Sequence, residues 1–355
     1  MSKRIVLTGG GTAGHAIPNI ALLPALREAG FSDIRYIGSI NGIEKELAET
    51  AGLPYYGIHS GKLRRYFAWK NFTDPFKILA GFSQARRILK KVKPDIIFSK
   101  GGFVCVPVIY AAASLKIPVV IHESDYTPGL ANKLAMKKAQ AICTTFVETL
   151  QYLPADKAVH TGSPIRPGML NGDATAGRSF INPVSEHPLL LVTGGSLGSS
   201  SVNALIRHHL PLLLEQFEVV HLCGKGHLDP ALTEANGYHQ FEYLDTQMPD
   251  VMAAADFVIS RAGSNTICEL LALHKPHLLI PLSKKASRGD QLLNAASFRK
   301  QGYSLVLDED EMTDADFPAA IQQLQAEKDQ FVAAMEASPT GNGIDGIIKQ
   351  LKKFS

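Results

Sequence analysis

The sequence predicts two α/β domains, each built on a doubly wound parallel sheet. Short apolar runs alternate with helix-like stretches along most of the 355 residues, which is the pattern of strand–helix units around parallel sheets. The two halves also open alike, because Arg4–Thr8 and Leu189–Thr193 are each followed by glycines and then by a helix-like stretch. This repeated beginning favours two domains of similar architecture.

Apolar runs in both halves predict strands. In the first half they are Arg4–Thr8, Asp33–Ile37, Asp95–Ser99, Pro118–Ile121 and Ala141–Thr144. In the second half they are Pro188–Thr193, Glu218–Leu222, Asp256–Ser260, His277–Pro281 and Ser304–Leu307. Their lengths and spacing suit parallel strands that are buried on both faces.

Turn residues at Thr161–Pro167 predict a linker, and the small, polar residues of 171–186 predict a loop. We therefore expect an N-terminal domain over 1–164 and a C-terminal domain over 165–339. The amphipathic segment at the end of the chain predicts a helix, and we expect 340–355 to pack back on the first domain.

Composition excludes several classes of protein. The chain is 45% hydrophobic and carries a net charge of +3, which is enough apolar residue for two cores but too little charge to predict nucleic-acid binding. The four cysteines are widely spaced, so we expect buried thiols rather than disulfides or metal ligands. No signal peptide is recognised, and the longest apolar run, Phe103–Leu115, is shorter than the about 20 residues of a spanning helix. We expect a cytoplasmic protein with at most a peripheral membrane contact.

The strongest local motif is Gly9–His15, which has the G-x-G-x-x-G pattern. Glycines there let backbone N–H groups approach a diphosphate, and the following helix adds its positive N-terminal end. A nicotinamide-dinucleotide site also needs an acidic residue at the end of the second strand. That strand ends at Ser39, and Glu44 comes too late, so the dinucleotide hypothesis is disfavoured.

His15 has two interpretations. It is either a polar residue that serves only the helix start, or a general base directed into a cleft. A helix N-terminus disfavours the protonated imidazole and so keeps the ring able to accept a proton.

Two further glycine turns follow predicted strands, at Gly101-Gly102 and Gly194–Gly198. Each is an ordinary tight turn when considered alone. Together with the first turn they lie at the carboxyl ends of parallel strands, where ligands bind in open α/β sheets. The pattern predicts phosphate binding in one cleft, with Ser196 as a hydroxyl donor.

The segment Ser260–Glu269 predicts a buried strand, a turn of small residues and a helix capped by Ser264 or Asn265. The helix start can hold an anion, and the Glu269 carboxylate can accept both ribose hydroxyls, unless it is simply solvated or capping. The amides of Gln291 and Asn294 share a helix face and suit sugar hydroxyls.

Two acidic segments resemble an Asp-x-Asp metal site, Asp308–Asp310 and Asp314–Asp316. They lie among polar residues without a phosphate loop, so we interpret them as solvated turns and caps and expect no metal or cofactor. A different segment mixes basic and aromatic residues that favour an anionic membrane surface. It contains Arg64, Arg65, Trp69 and Phe72 and continues to Phe82; packing on the domain core is its alternative explanation.

These motifs, in this order over nearly the whole chain, resemble the MurG family of UDP-N-acetylglucosamine transferases, which have the GT-B fold. That fold has two Rossmann-like domains facing across a cleft. The resemblance rests on Gly9–His15, Gly101–Phe103, 122–132, 161–166, Gly194–Gly198, Arg261–Glu269 and Asp290–Asn294. It implies an inverting transfer of N-acetylglucosamine from UDP to the 4-hydroxyl of undecaprenyl-diphospho-N-acetylmuramoyl-pentapeptide, at the inner face of a bacterial membrane. UDP-N-acetylglucosamine, the lipid-linked acceptor, an anionic membrane surface and other cell-wall synthesis proteins are the implied partners.

The resemblance also implies roles for individual residues. His15 is the implied base. The implied donor contacts are Thr12, Ala13, Gly14, Arg166, Ser196, Leu244, Ser264, Asn265, Thr266, Glu269 and Gln291. The implied acceptor contacts are Gly11, Gly101, Gly102 and Glu123. Asp125 stands where the family commonly has Asn, which replaces a donor by an acceptor, and we assign it no donor contact.

Two other functions remain open at this point. One is a GT-B transferase that acts on another lipid or small-molecule acceptor. The other is a non-catalytic nucleotide-sugar binding protein in which His15 is structural. Acceptor assays distinguish the first, and replacement of His15 distinguishes the second.

Overall fold

The computed structural model describes residues 3–61, 74–195, 198–285 and 289–355, with backbone only for 74–76. The chain divides into two compact units. Unit 1 comprises Met1–Arg166 and Asn342–Ser355, and unit 2 comprises Pro167–Gly341.

Unit 1 contains a seven-stranded parallel sheet in the order β3-β2-β1-β4-β5-β6-β7. Its strands are β1 Lys3–Thr8, β2 Phe31–Ser39, β3 Tyr55–Ile58, β4 Ile96–Ser99, β5 Val119–Glu123, β6 Ala141–Thr144 and β7 Ala158–His160. Its helices before the boundary are α1 Ala13–Ala21, α2 Leu23–Glu28, α3 Ile43–Thr50, α4 Asp74–Val92, α5 Cys105–Ser114 and α6 Leu130–Ala135.

Unit 2 contains a six-stranded parallel sheet in the order β10-β9-β8-β11-β12-β13. Its strands are β8 Leu189–Thr193, β9 Glu218–Leu222, β10 Tyr238–Phe241, β11 Phe257–Ser260, β12 His277–Leu279 and β13 Leu305–Val306. Its helices are α7 Pro167–Leu170, α8 Ala174–Ile181, α9 Ser200–His208, α10 Leu210–Leu214, α11 Met248–Ala254, α12 Ser264–Ala272, α13 Asp290–Lys300, α14 Asp316–Ala326 and α15 Lys328–Glu336. The last helix of the chain, α16 Ile344–Phe354, belongs to unit 1.

The predicted fold class, two parallel Rossmann-like sheets, is confirmed. All ten predicted strands are present. Among the described residues, the strands that the sequence analysis does not predict are β3, β7 and β10, and each lies at the edge of its sheet.

The sheet of unit 1 is covered on both faces, which explains why its strands are continuously apolar. Ile5 and Leu7 point into a core that also contains Leu26 of α2 and Leu351 of α16. Val6 points to the opposite face, into a second core with residues of α4 and α5. The alternation of neighbouring side chains between two cores is the geometry of a strand buried on both sides.

One predicted loop is wrong. The stretch 171–186 contains α8, which the Asp173 carboxylate caps by accepting hydrogen bonds from the backbone N–H groups of Thr175 and Ala176. The polar composition of this stretch resembles a loop. Asp173 is of a residue type that commonly caps helices, and it was the available signal for a helix start.

In both units the strand order reverses beside the first strand. In unit 1 the reversal lies between β1 and β4, and in unit 2 between β8 and β11. The loops after these four strands therefore lie at the sheet edge where open α/β sheets bind ligands.

Candidate active site

The glycine turns after β1 and β4 touch one another in unit 1. The Gly10 N–H donates to the carbonyl of Gly101 over 3.3 Å. A Cβ atom on Gly102 would lie 2.2 Å from the Gly10 carbonyl oxygen, and the φ of Gly102 is +88°. A side chain at this position would therefore separate the two turns and strain the backbone.

His15 lies in the first turn of α1, over the second glycine turn. A Cβ on Gly101 would be 3.5 Å from the His15 Cδ2 atom and 3.6 Å from its Nε2 atom. The imidazole is half-buried, and its Nδ1 atom lies 3.0 Å from the Thr12 hydroxyl oxygen. The ring therefore lies within van der Waals reach of position 101, where the φ of +100° favours glycine, and Thr12 contacts its Nδ1 atom.

The contact with Thr12 sets a condition for base catalysis. If Nδ1 carries the proton and donates it to the Thr12 oxygen, Nε2 keeps a lone pair that can accept a proton. In the other tautomer Nε2 is already protonated and cannot act as a base. The Thr12 hydroxyl can pair with Nδ1 in either tautomer, so this contact orients the ring.

Behind the first glycine turn lies Glu44, a fully buried carboxylate. It accepts hydrogen bonds from the backbone N–H of Gly11 over 3.2 Å and of Ser39 over 2.9 Å. A bound diphosphate would have to compete with this anion for the Gly11 N–H and would meet its negative charge. The buried carboxylate therefore disfavours a phosphate group at the Gly11 N–H.

Glu123 ends β5 and is buried. Its carboxylate accepts hydrogen bonds from the N–H groups of Ser124, Asp125 and Gly129 and from the Asn132 amide, over 2.8 to 3.1 Å. Burial raises the pKa of Glu123, and the charge of Asp125 adds to this effect. With four protein donors, this carboxylate holds the turn 124–129 in shape.

Lys100 and His122 form a buried chain of hydrogen bonds next to the same turn. Lys100, which is 1% exposed, has its Nζ atom 2.8 Å from His122 Nδ1 and 2.5 Å from the Ser124 hydroxyl. His122 Nε2 in turn lies 2.9 Å from the Gly162 carbonyl oxygen. Burial lowers the pKa of His122 well below its ordinary value, and the charge of Lys100 lowers it further. His122 is therefore neutral, with Nε2–H donating and Nδ1 accepting.

In unit 2, the turn after β8 is held close to its neighbours. Gly195 and Gly198 have φ values of +90° and +75°, and a Cβ on Gly198 would lie 2.2 Å from the Cys223 carbonyl oxygen. Ser199 caps α9 by accepting from the Val202 N–H. Ser196, the predicted hydroxyl donor, lies outside the described residues.

Arg261 is the residue of this site that sequence reasoning missed. It follows β11 and is 6% exposed. Its guanidinium donates to the hydroxyls of Ser199 and Ser201 over 2.7 Å and pairs with Glu309 over 2.8 Å. It also donates to the carbonyls of Ile280 and Pro281. An arginine directly after an apolar strand was the available signal, because a buried guanidinium must find several acceptors.

The Glu309 contacts correct one prediction. Asp308 and Asp316 accept hydrogen bonds from nearby loop residues, as expected of turns and caps. Glu309 is not solvated, since it binds Arg261, Ser201 and the Ser283 N–H. Burial alone would raise the pKa of Glu309, but the hydrogen bonds from Ser201 and Arg261 hold it below its ordinary value.

Helix α12 begins without a side-chain cap. Its N-cap is Gly263, so the expectation that Ser264 or Asn265 caps the helix is wrong. Ser264 is buried in the first turn, and Asn265, Thr266 and Glu269 are partly exposed. The start of a helix carries a partial positive charge that favours an anion.

The other predicted donor residues are placed differently. Gln291 lies in the first turn of α13, and its amide oxygen accepts a hydrogen bond from the Leu282 N–H over 2.9 Å. Asn294 is fully buried and donates to the Ala262 carbonyl; its amide holds the Arg261 turn and does not face a sugar. Leu244 is half-buried in the loop after β10.

Arg166 lies at the boundary of the units, directly before α7. Arg64, Arg65, Trp69 and Phe72, predicted to contact a membrane, lie outside the described residues. Next to them in sequence, α4 and α5 form an apolar cavity of about 370 Å³ lined by Ile78, Leu79, Phe82, Val106, Pro107, Tyr110 and Leu134. In the described parts of the chain, no helix has both the length and the hydrophobicity needed to cross a bilayer. The four cysteines are buried and free.

Comparison with known proteins places this chain in a family. Residues 5–144 match the glycosyltransferase family 28 N-terminal domain, and residues 189–351 match the C-terminal domain of that family. A UDP-N-acetylglucosamine–N-acetylmuramyl-(pentapeptide) pyrophosphoryl-undecaprenol N-acetylglucosamine transferase of Lachnospira eligens is 58% identical over 99% of both chains. A protein of the same description from Clostridium perfringens is 54% identical, covering 99% of this chain and 98% of its own.

Among solved structures, the fold matches that of Acinetobacter baumannii MurG. The TM-score is 0.76, with 24% identity and 99% of each chain covered. The Rossmann-like sheets, their glycine turns and the two matched domains lead to one conclusion. This chain belongs to glycosyltransferase family 28 and, within it, to the MurG family of N-acetylglucosamine transferases.

Proposed function

We propose that this chain transfers N-acetylglucosamine from UDP to the 4-hydroxyl of N-acetylmuramoyl-pentapeptide carried on undecaprenyl diphosphate. The observation that carries the proposal is 58% identity to a transferase of this description over 99% of the chain. The product would supply peptidoglycan synthesis, and with it cell shape and division.

In the proposed step, the acceptor oxygen attacks the anomeric carbon as the bond from that carbon to the UDP oxygen breaks. The acceptor hydroxyl proton passes to Nε2 of His15, whose ring Thr12 orients through Nδ1. Attack from the face opposite the leaving group inverts the anomeric configuration. The acceptor would lie against the turn of Gly101 and Gly102 beside the ring, and Gly11 and Glu123 would shape the adjoining turns.

We place the UDP diphosphate at unit 2, because the start of its helix α12 carries a partial positive charge, whereas the turn of unit 1 already holds Glu44. Ser264 to Thr266, Arg166 and Ser196 are the proposed phosphate contacts. Glu269 would bind the ribose and Leu244 the uracil. Gln291 and the turn Thr12–Gly14 would contact the donor sugar.

These groups stabilise the leaving charge without a divalent ion, and we propose chemistry that needs no metal or cofactor. Transfer activity should therefore persist in excess chelator. Complete loss of activity that Mg²⁺ restores would contradict this part of the proposal.

We further propose peripheral attachment to the cytoplasmic face of the membrane. Leu79, which is 63% exposed, and Phe82 border the apolar cavity, and the basic and aromatic segment from Arg64 to Phe72 precedes them. Apolar side chains beside basic residues suit an anionic lipid surface. Other cell-wall synthesis proteins are expected partners on that surface.

Radiolabel transfer tests the reaction. UDP-N-acetylglucosamine and a short-chain analogue of the lipid-linked acceptor should give a labelled disaccharide, whereas UDP-glucose and UDP-N-acetylgalactosamine should transfer poorly. His15→Ala should lower kcat by about 10²–10⁴-fold and leave UDP binding intact, and His59→Ala serves as the control. Full turnover in the His15 variant would refute the base assignment, and no transfer to this acceptor would refute the proposed reaction.

Sedimentation with anionic vesicles tests the membrane contact. The triple change Arg64→Ala, Arg65→Ala and Trp69→Ala should weaken vesicle binding but leave transfer to a water-soluble acceptor analogue unchanged. Arg86→Ala and Arg87→Ala, on a later part of α4, provide a matched loss of charge. Equal sedimentation of the triple variant and the unmodified chain would remove the assignment.

A further inference from the structure

A cluster of metal-ligating side chains lies in unit 2, away from the proposed reaction site. The Nε2 atom of His208 is 3.0 Å from Asp314 Oδ1, and the Nε2 atom of His209 is 3.3 Å from the same oxygen. One ligand atom from each of the three residues lies within 4.8 Å of the others. Two imidazoles thus converge on one carboxylate.

Two of the three separations between ligand atoms are close to those of a tetrahedral metal site. Zinc binds imidazole nitrogen at about 2.0–2.1 Å and carboxylate oxygen at about 2.0–2.2 Å, so two ligands of a tetrahedron are about 3.3 Å apart. The two nitrogen-to-oxygen distances agree with that edge. We propose that His208, His209 and Asp314 bind a divalent transition-metal ion, with Zn²⁺ as the best fit.

A second observation points to a missing ligand. The His209 side chain is 8% exposed, and its buried Nε2 atom has no hydrogen-bond partner although Asp314 is close. Stacking on Phe317, with ring centroids 4.8 Å apart and planes 24° apart, fixes the ring. A buried ring nitrogen without a partner is costly, and a metal ion between the three residues would satisfy it.

The donor set indicates the class of metal. Two imidazole nitrogens and one carboxylate suit zinc, cobalt or nickel, whereas magnesium and calcium prefer oxygen ligands. The side chains of His208 and Asp314 are 66% and 76% exposed, so an ion can enter from solvent and a water molecule can occupy the fourth position.

The location favours a structural role. His208 ends α9, whose first residue lies beside the glycine turn of unit 2, about 13 Å away along a helix of this length. Asp314 belongs to the loop before α14, which also contains Glu309, the partner of Arg261. A bound ion would fasten this loop to the α9–α10 corner and stabilise unit 2 without entering the proposed metal-independent transfer.

Metal titration of the untagged full chain tests the site. Calorimetry with ZnCl₂ should show one saturable site per chain, and Co²⁺ should give the intense visible absorption of a tetrahedral ion. His208→Ala and Asp314→Ala should each weaken Zn²⁺ binding by about tenfold or more, since even outer-shell changes cost about 10–100-fold. Two exposed neighbours provide controls, His227→Ala and Glu311→Ala, which should bind Zn²⁺ as the unmodified chain does.

A thermal readout is independent of transfer activity. Zn²⁺ should raise the Tm of the unmodified chain and of both controls but not that of the Asp314→Ala variant. Far-UV circular dichroism without metal verifies that each variant is folded; both altered side chains are largely exposed. Absence of saturable Zn²⁺ binding, or equal affinity in the ligand and control variants, would overturn the proposal.

Discussion

The two units repeat one local motif, a strand followed by a glycine turn and a helix, but place opposite charges behind it. In unit 1 the Glu44 carboxylate accepts the Gly11 N–H. In unit 2 the Arg261 guanidinium binds Ser199 and Ser201 beside the turn. The motif alone therefore does not determine the ligand; the buried side chain behind it does.

We propose that the two units therefore have different roles: unit 2 binds the UDP diphosphate, and unit 1 activates the acceptor hydroxyl. The buried anion of unit 1 disfavours a phosphate group at the Gly11 N–H, and His15 beside it is the proposed base for the acceptor hydroxyl. In unit 2 the start of α12, whose N-cap is Gly263, is the proposed site of the UDP diphosphate. The predictions below test this contrast, from the largest expected effect to the smallest.

Removing Arg261 should have the largest effect. Arg261→Ala leaves the half-buried Glu309 without its ion-pair partner, which should lower the free energy of unfolding of unit 2 by about 3–5 kcal/mol. Urea unfolding measures this loss of stability, and hydrogen exchange of peptides from unit 2 assigns it to that unit. The double change Arg261→Met with Glu309→Met should recover part of the loss, and the exposed Arg299→Ala should be nearly neutral. A neutral Arg261→Ala would show that the guanidinium does not organise this turn.

Acid should destabilise unit 2 through two buried histidines. Burial lowers the pKa of His221 to about 3 and that of His277 to about 4, from an ordinary value of 6.5. The folded state therefore takes up fewer protons than the unfolded state. The stabilising contribution is complete above pH 6.5 and is lost as the pH falls towards 4 and 3.

At pH 5 each of these histidines should lower the free energy of unfolding by about 2 kcal/mol relative to pH 7. Urea unfolding at the two pH values measures the loss. His277→Leu should remove its own share of the pH dependence, whatever its stability at pH 7. An unchanged pH dependence in that variant would mean that His277 does not titrate as a buried group.

The Glu44 carboxylate is the corresponding test in unit 1. Glu44→Gln keeps the shape but replaces one acceptor oxygen by a donor, which should lower the free energy of unfolding by about 1–3 kcal/mol. UDP affinity, measured by calorimetry, should not change, because we place the diphosphate at unit 2. Glu46→Gln, on the exposed side of α3, is the matched control. Weaker UDP binding by a folded Glu44→Gln chain would contradict the placement of the UDP diphosphate at unit 2.

Thr12 should have the smallest effect. Thr12→Val removes the hydroxyl that orients the His15 ring. This should lower kcat by about tenfold, a small part of the about 10²–10⁴-fold that a general base contributes, with a smaller change in KM, whereas Thr12→Ser should retain activity. Transfer rates across a pH series measure both. Equal activity of the valine and serine variants would show that this hydrogen bond does not orient the base.

Much of the fold was predictable because its central strands are buried on both faces. β1, β4 and β8 are continuous apolar runs, which the sequence displays directly. The missed strands β3, β7 and β10 lie at sheet edges, where one side lacks a neighbouring strand and the apolar pattern is weaker. Helix α8 was missed because its polar composition resembles a loop.

The amino-acid sequence by itself determined the two parallel-sheet domains, their glycine turns and His15 at the start of a helix, since these depend on local patterns and short spacings. Only the tertiary structure decided which charged groups lie behind those turns. Glu44 reaches Gly11 across 33 positions of the chain, and Arg261 reaches Ser199 across 62. Local pattern cannot encode such contacts, because a buried charge finds its partners only when distant strands and helices have packed together.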